Sequence, residues 1–377
     1  MTLITYLTRV HFADGILEEA LWSEMETANM ARPLILSESS HLDSELGERF
    51  LSAFPVRTIT TQFTNIPHIL TERVVRQVAE TYIESNCDVL LAFGSARAID
   101  LAKIARIAIA HDEDLETFSC KYGGSRRIGL SLPNLFVVPG ISGFGSAVSA
   151  HASVVLSSGE RTLIMCKKLI PTVTICDPML TLNSGEEQTA GAGANAITNC
   201  VEAYLSKSYN PPAEGIALDG LSRAIHNLPL ALQDEENLQA RREMMAASLN
   251  GALALQKGLG ASQALSNALE AMSDKALNQG AINRVVLPAV LRFNEEAACH
   301  KFLTLQRIFG LGPDECVADG VNGYFDKLPL PKRLSDLGLD VEQLQEAATV
   351  ASNDIETNTN PRPVRVSDYL EIMQSVR

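Results

Sequence analysis

The sequence predicts an α/β N-terminal domain built on a parallel sheet, followed by an all-helical C-terminal domain. Two observations carry this. The first half alternates short β-rich runs with a helical stretch, and the second half shows only helical periodicity. The composition changes at the same place: beyond Pro178 the chain is dominated by Ala, Leu, Glu and Gln. The boundary is placed near residue 180, giving domains of 1–180 and 181–377.

The strands come first. Pro33–Ser37 (PLILS), Cys87–Phe93 (CDVLLAF) and Leu135–Pro139 (LFVVP) are short apolar runs bounded by turn residues. Between the first two, Ile69, Leu70, Val74, Val75, Val78, Tyr82 and Ile83 recur at helical spacing, predicting a helix over 69–86. Strand, helix, strand at this separation implies parallel βαβ units. Ala152–Leu156 and Thr162–Cys166 are expected to pair as a hairpin, and Thr172–Cys176 to form a last strand ending at Asp177-Pro178. In the second half, Ser184 to Glu187 fits a capping box. Pro211-Pro212 breaks one helix and can open the next.

Composition excludes several classes. A formal charge of −14 argues against nucleic acid as the main partner, because that binding needs a basic face. No run reaches the roughly 18 apolar residues of a membrane span. Arg9, His11 and Asp14 come too early for a secretory leader. The cysteines show no C-x-x-C spacing and read as reduced, buried thiols of a cytoplasmic protein. The seven histidines are dispersed, without H-x-x-x-H or H-x-E pairs.

Two loops have the character of phosphate cradles. Gly94-Ser95-Ala96-Arg97 follows a strand and opens a helix through Asp100 and Lys103, a geometry that aims free backbone N–H groups at an anion. Arg97 reads either as a phosphate partner or as a solvated arginine at a helix start. Pro139 to Ser149, PGISGFGSAVS, follows the next strand and includes Gly140, Ile141, Gly143, Phe144 and Ser146. Glu38 ends the first strand. An acid there can accept from a ribose 2′-OH and repel a 2′-phosphate, which favours NAD(H) over NADP(H); the alternative is a plain surface glutamate.

The second half carries an unusual density of carboxamides. Asn195 and Asn199 are spaced to share one helix face, as are Gln263 and Asn267. Gln279 precedes a helix that begins near Gly280.

These segments, with Asp177-Pro178 and Leu180, Val201-Glu202-Ala203-Tyr204, Leu287-Pro288, Phe293-Asn294 and Asn360-Pro361-Arg362, resemble the iron-dependent (group III) alcohol dehydrogenases along nearly the whole chain. The resemblance implies a dinucleotide-binding N-terminal domain, a helical C-terminal domain of the dehydroquinate synthase-like kind, and a site in the cleft between them. It also implies a cofactor set of Glu38, Gly94, Ser95, Ala96, Arg97, Asp100, Gly140, Ile141, Phe144, Ser146 and Leu180. At the places of Asn195, Asn199, Gln263 and Gln279 the family has Asp, His, His and His on a divalent cation. At the place of Asn267 it has a histidine implicated in proton handling.

A carboxamide has no negative charge and no available nitrogen lone pair, so tight binding of iron or zinc is not expected. Two readings of the amides stand open. They donate hydrogen bonds to a bound carbonyl or carboxylate, or they pair with each other and fill a vacated space. The corresponding functions are a metal-independent NAD(P)-dependent oxidoreductase of an aldehyde or oxo acid, and a non-catalytic homologue that binds nucleotide or a protein. The related sugar-phosphate cyclases fit less well, because they too need a metal. Lys257, Arg284 and Arg97 are the candidate cations for an anionic substrate. The expected partners are a small-molecule substrate and, as a homodimer, a second copy of the chain, with neither nucleic acid nor membrane.

Overall fold

The computed structural model describes residues 8–129, 131–141, 143–272 and 277–377. Residues 1–7, at the head of the segment read above as no leader, and Ser142 of the second glycine loop lie outside them. The chain divides into two compact units, Tyr6–Leu182 and a second that runs from Asn183 to Arg377.

The first unit is α/β. Its elements are β1 (Arg9–Phe12), α1 (Leu17–Thr27), β2 (Pro33–Leu36), α2 (Ser39–Leu42), α3 (Glu45–Ser52), β3 (Thr61–Phe63) and α4 (Glu72–Glu84). There follow β4 (Val89–Gly94), α5 (Ala96–Ala110), β5 (Asn134–Pro139), α6 (Phe144–Ala147), β6 (His151–Val155), β7 (Arg161–Met165) and β8 (Val173–Cys176). Six strands form one sheet in the order β1-β8-β5-β4-β2-β3, with every neighbouring pair parallel. β6 and β7 form the expected antiparallel hairpin.

Alternation along the central strands explains their apolar runs. Leu34, Leu36, Leu90, Ala92, Leu135 and Val137 enter the core shared with α4 and α5. Ile35, Val89, Leu91, Phe93, Phe136 and Val138 enter the opposite core, with α1 and α3. A parallel sheet covered on both faces needs apolar residues at every position. On the α3 face, Phe50 stacks on Phe93 with centroids 4.2 Å apart.

The second unit is helical among the described residues: α7 (Glu186–Leu205), α8 (Pro211–Gln233), α9 (Leu238–Ala254), α10 (Ala261–Met272), α11 (Gln279–Asn294), α12 (Cys299–Ile308), α13 (Val317–Phe325), α14 (Val341–Asn353) and α15 (Val366–Ser375). One core is shared by α7, α8, α9, α12 and α13, a second by α10, α14 and α15, and α11 contributes to both, Leu287 and Leu291 to the first and Val286 and Val290 to the second. No helix among the described residues is long and apolar enough to cross a membrane.

Several local expectations are corrected. α7 is not opened by a capping box: its N-cap is Gly185, at φ +78° with no side chain to offer. Glu186 and Glu187 instead sit in the first turn, where acids favour the positive end of the helix dipole. Pro211 does start α8, with Asn210 as its cap. Gln279 is the first residue of α11 rather than its predecessor, because Asn278 caps that helix by accepting from Gly280 and Ala281 N–H. The cysteines are all free, but only Cys87, Cys176 and Cys200 are buried; Cys299 is exposed. Burial pushes the Cys176 and Cys200 thiols up to about 12.

Candidate active site

In the α/β unit, the strand order places a switch point. From β2 the chain goes outward to β3, then returns to β4 on the other side of β2. The carboxyl ends of β2 and β4 therefore flank the crevice where open α/β sheets bind ligands. Glu38 follows β2, and Gly94 to Arg97 follow β4.

The glycine loops are tightly built. Gly94 has φ +95°, and a Cβ there would meet His41 Nδ1 at 2.8 Å. Gly140 N donates to Gly94 O at 2.8 Å, which ties the loop after β5 to the loop after β4. A Cβ on Gly143 would lie 2.6 Å from Gly94 O. Ser95 Oγ accepts from Ala98 N and caps α5, so the N-terminus of that helix opens at the crevice.

Glu38 is not a free surface acid. Its Oε1 accepts from Ser95 Oγ at 2.5 Å and from Arg97 Nη2 at 3.3 Å; its Oε2 accepts from His41 Nδ1 at 3.1 Å. Burial alone would raise the Glu38 carboxyl, but the hydrogen bonds from His41 and Ser95 outweigh it and hold the group at about 2. Arg97 Nη1 donates to His68 Nδ1 at 3.0 Å. Arg97 is thus neither loose nor simply solvated.

The remaining nucleotide-side residues divide into two groups. Ala96 opens α5, Asp100 lies one turn further along and accepts from Lys103 Nζ at 3.5 Å, and Ile141 and Ser146 stay half-buried. Phe144 and Leu180 are buried, at 4% and 3% exposure, and Leu180 belongs to the core on the α1 and α3 face. Their side chains pack the protein. Any part they take in binding a cofactor runs through their backbone.

In the helical unit the amide positions are built by close helix approach. A Cβ on Gly280 would fall 1.8 Å from Gly191 O, so only glycine lets α7 and α11 meet there. One turn along α7 is Asn195, and near the same level of α11 is Asn283; Asn283 Nδ2 donates to Asn195 Oδ1 at 2.9 Å. Asn199 is buried, and its Oδ1 has no hydrogen-bond partner among the described residues. Asn283 Oδ1 is buried and likewise without a partner among the described residues.

The second group centres on Asn267. Its Oδ1 accepts from Gln263 Nε2 at 2.9 Å and from Gln279 Nε2 at 3.4 Å. Its Nδ2 donates to Asp354 Oδ2 at 3.1 Å. Gln263 is positioned by the buried Glu202, whose oxygens accept from the backbone N–H groups of Gly260, Ser262 and Gln263 and so cap α10. Burial raises the Glu202 carboxyl despite those bonds. Asn294 and Asn360 form a reciprocal amide pair, and Asn360 Oδ1 also accepts from Ala261 N. Sequence reading missed Asn283, Asp354 and Glu202 as parts of this site, and His41 and His68 at the other.

The donor set does not fit a transition metal. The Asn195 and Asn267 carbonyls are already taken by amide N–H groups. No group of three or more His, Cys, Asp or Glu residues is arranged to hold a metal ion among the described residues. Iron and zinc prefer imidazole, thiolate and carboxylate over neutral amide oxygen.

Two of the three proposed substrate cations are corrected. Lys257 is 1% exposed, and its Nζ donates to the carbonyls of Ala203, Tyr204 and Ser206 and pairs with Glu214 at 2.9 Å. It satisfies the C-terminal end of α7. Arg284 is 2% exposed and bound to Asp326 and to Lys332 O. Both are structural.

Comparison with known proteins decides the lineage. Residues 8–178 match the model of the iron-containing alcohol dehydrogenases, and residues 189–376 match the C-terminal model of the Fe-containing alcohol dehydrogenase family. The chain is 35% identical to the 4-hydroxybutyrate dehydrogenase of Cupriavidus necator over 381 aligned residues, 99% of each protein. The chain belongs to the iron-containing alcohol dehydrogenase family. The family and the homologues matched are alcohol dehydrogenase-like oxidoreductases. The 1,3-propanediol dehydrogenase of Citrobacter freundii is 28% identical over 310 residues, 80% of this chain and 79% of that one. Among solved structures, a 1,3-propanediol oxidoreductase superposes with TM-score 0.90 at 23% identity, covering all of both chains. The sulfoacetaldehyde reductase of Bifidobacterium kashiwanohense, solved with NAD+, gives 0.85 at 20% identity, covering 100% of this chain and 98% of that one. These structural matches share the α/β and helical architecture of this family member.

Proposed function

We propose that the protein is a metal-independent, nicotinamide-dependent oxidoreductase that interconverts an aldehyde or oxo acid and its alcohol. A short carboxylated aldehyde, with its ω-hydroxy acid, is the substrate class suggested by the relative from Cupriavidus necator. The observation that carries the reading is the pair of glycine loops joined at the switch point, with Gly140 N bonded to Gly94 O beside the capped start of α5. That arrangement suits a dinucleotide pyrophosphate. The residues to hold it are the backbone at Gly94 to Arg97 and at Gly140 and Ile141, with the acid Glu38 on the adenosine side. When bound, the dinucleotide supplies the hydride.

Delivery of that hydride to a carbonyl carbon would leave the C=O electron pair on oxygen. That oxygen takes a proton from water, since no amide can release one. The protein's own contribution is hydrogen bonding to the developing oxyanion. Each carboxamide nitrogen carries two N–H groups, and the bonds described for Gln263 and Gln279 use one of each. A preorganised donor of this kind contributes about 3 kcal/mol. The second reading, a homologue that binds without catalysis, is favoured by the engagement of Asn267 Oδ1 with two neighbouring amides.

The same proposal covers the setting: a cytoplasmic homodimer with a small-molecule substrate, and neither nucleic acid nor membrane as partner. Calorimetric titration with NADH tests it, with micromolar binding expected. Failure to bind either NADH or NADPH would overturn the oxidoreductase reading and leave the non-catalytic one. With binding in hand, NADH consumption across short carboxylated aldehydes identifies the substrate.

A further inference from the structure

The crevice at the switch point is not charged as a site selective for NAD(H) should be. An acid after the second strand discriminates in two ways: it accepts from the ribose 2′-OH, and it repels a 2′-phosphate. Both depend on an uncompensated carboxylate. Glu38 is compensated on each oxygen. Ser95 and Arg97 hold Oε1, His41 holds Oε2, and the side chain is only 14% exposed.

Arg97 is the unusual member. Its Nη2 reaches Glu38 at 3.3 Å and its Nη1 reaches His68 at 3.0 Å, so the guanidinium is fixed from two sides. Its side chain nevertheless remains 39% exposed. A planar guanidinium with N–H groups to spare, held in place, is the preferred partner of a phosphate dianion. At this distance its charge cancels that of Glu38 for any group approaching the pair.

We propose that Arg97, held between Glu38 and His68 at the switch point, is a cofactor-specificity residue that admits a 2′-phosphate, so that the protein takes NADP(H) as well as NAD(H). The proposal rests on the dinucleotide reading given above. On ligand entry, one Arg97 N–H edge turns to the 2′-phosphate while Ser95 and His41 keep Glu38 satisfied. With NAD(H), the same crevice holds the ribose hydroxyls without a phosphate.

Calorimetry with NADH and NADPH on the full chain tests this, with Arg97→Ala, Arg97→Lys and Glu38→Gln. Wild-type protein is expected to bind NADPH within about tenfold of NADH. Arg97→Ala should weaken NADPH by about 10- to 100-fold, the size of a charge-assisted hydrogen bond, and NADH by less than about threefold. Arg97→Lys should restore part of the NADPH binding, and Glu38→Gln should shift preference further toward NADPH. A wild-type preference for NADH above about 100-fold, or an Arg97→Ala variant that loses both cofactors equally, overturns the assignment while leaving the dinucleotide reading intact. Binding of neither cofactor by wild type overturns the dinucleotide reading and the assignment with it.

Discussion

The two units carry the family's inheritance differently. The α/β unit builds its proposed nucleotide site on backbone contacts: Gly94, Gly140 and Gly143 let two loops meet, and Arg97 lies beside Glu38. The helical unit builds its candidate polar site on side chains: Glu202, Asn278 and the Gly191–Gly280 contact position the helices, and the side chains they present are amides. On the proposed reading, function in one unit rests on backbone geometry, which tolerates changes in side chain. In the other it rests on ligand atoms, which do not. On the proposed reading, neutral carboxamides in place of imidazole and carboxylate would lower metal affinity while the fold is kept.

The sharpest break would come at the helix contact. Gly280→Ala places a methyl group against Gly191 O, and overpacking against backbone should cost about 3 kcal/mol, read as a lower urea midpoint. Glu202→Ala leaves three backbone N–H groups at the start of α10 without their acceptor, and about 2 kcal/mol of stability should go with it.

Smaller effects separate the amides' two possible roles. Asn267→Ala removes the shared acceptor of Gln263 and Gln279. If the amides act on substrate, turnover should fall by tenfold or more, with about 1 kcal/mol or less lost in stability. An equal loss of stability with turnover unchanged would assign the cluster to packing.

A pH-dependent effect belongs to the nucleotide side. Burial depresses Lys103 to about 8, and its Nζ holds Ser149 Oγ at 2.8 Å and His151 O at 3.1 Å. A lysine with a folded value below its unfolded one is bound by more protons when unfolded, so stability from this group rises between about pH 8 and 10.5. Lys103→Met should remove that rise, seen as a flatter urea midpoint across the same window.

What could be read from the sequence follows the physics of each element. β4 and β5 are buried on both faces, so their apolar runs are unbroken and visible. β3 is three residues at the sheet edge, Thr61–Phe63, and gives no such signal. Amide pairs at helical spacing were legible because one helix face is a local property. Asn283, Asp354 and Glu202 were not, because their roles arise in contacts 88, 87 and 60 residues apart in sequence. Lys257 was misjudged for the same reason. Its charge is evident in sequence, whereas the helix end that consumes it appears only in the fold.

The proposed exchange of a metal site for a carboxamide site in the helical unit is tested most directly by elemental analysis of protein expressed in medium supplemented with iron, zinc and manganese. Less than ~0.1 transition-metal ion per chain is expected after desalting, since neutral amides compete poorly for such ions. About one metal ion per chain would contradict it.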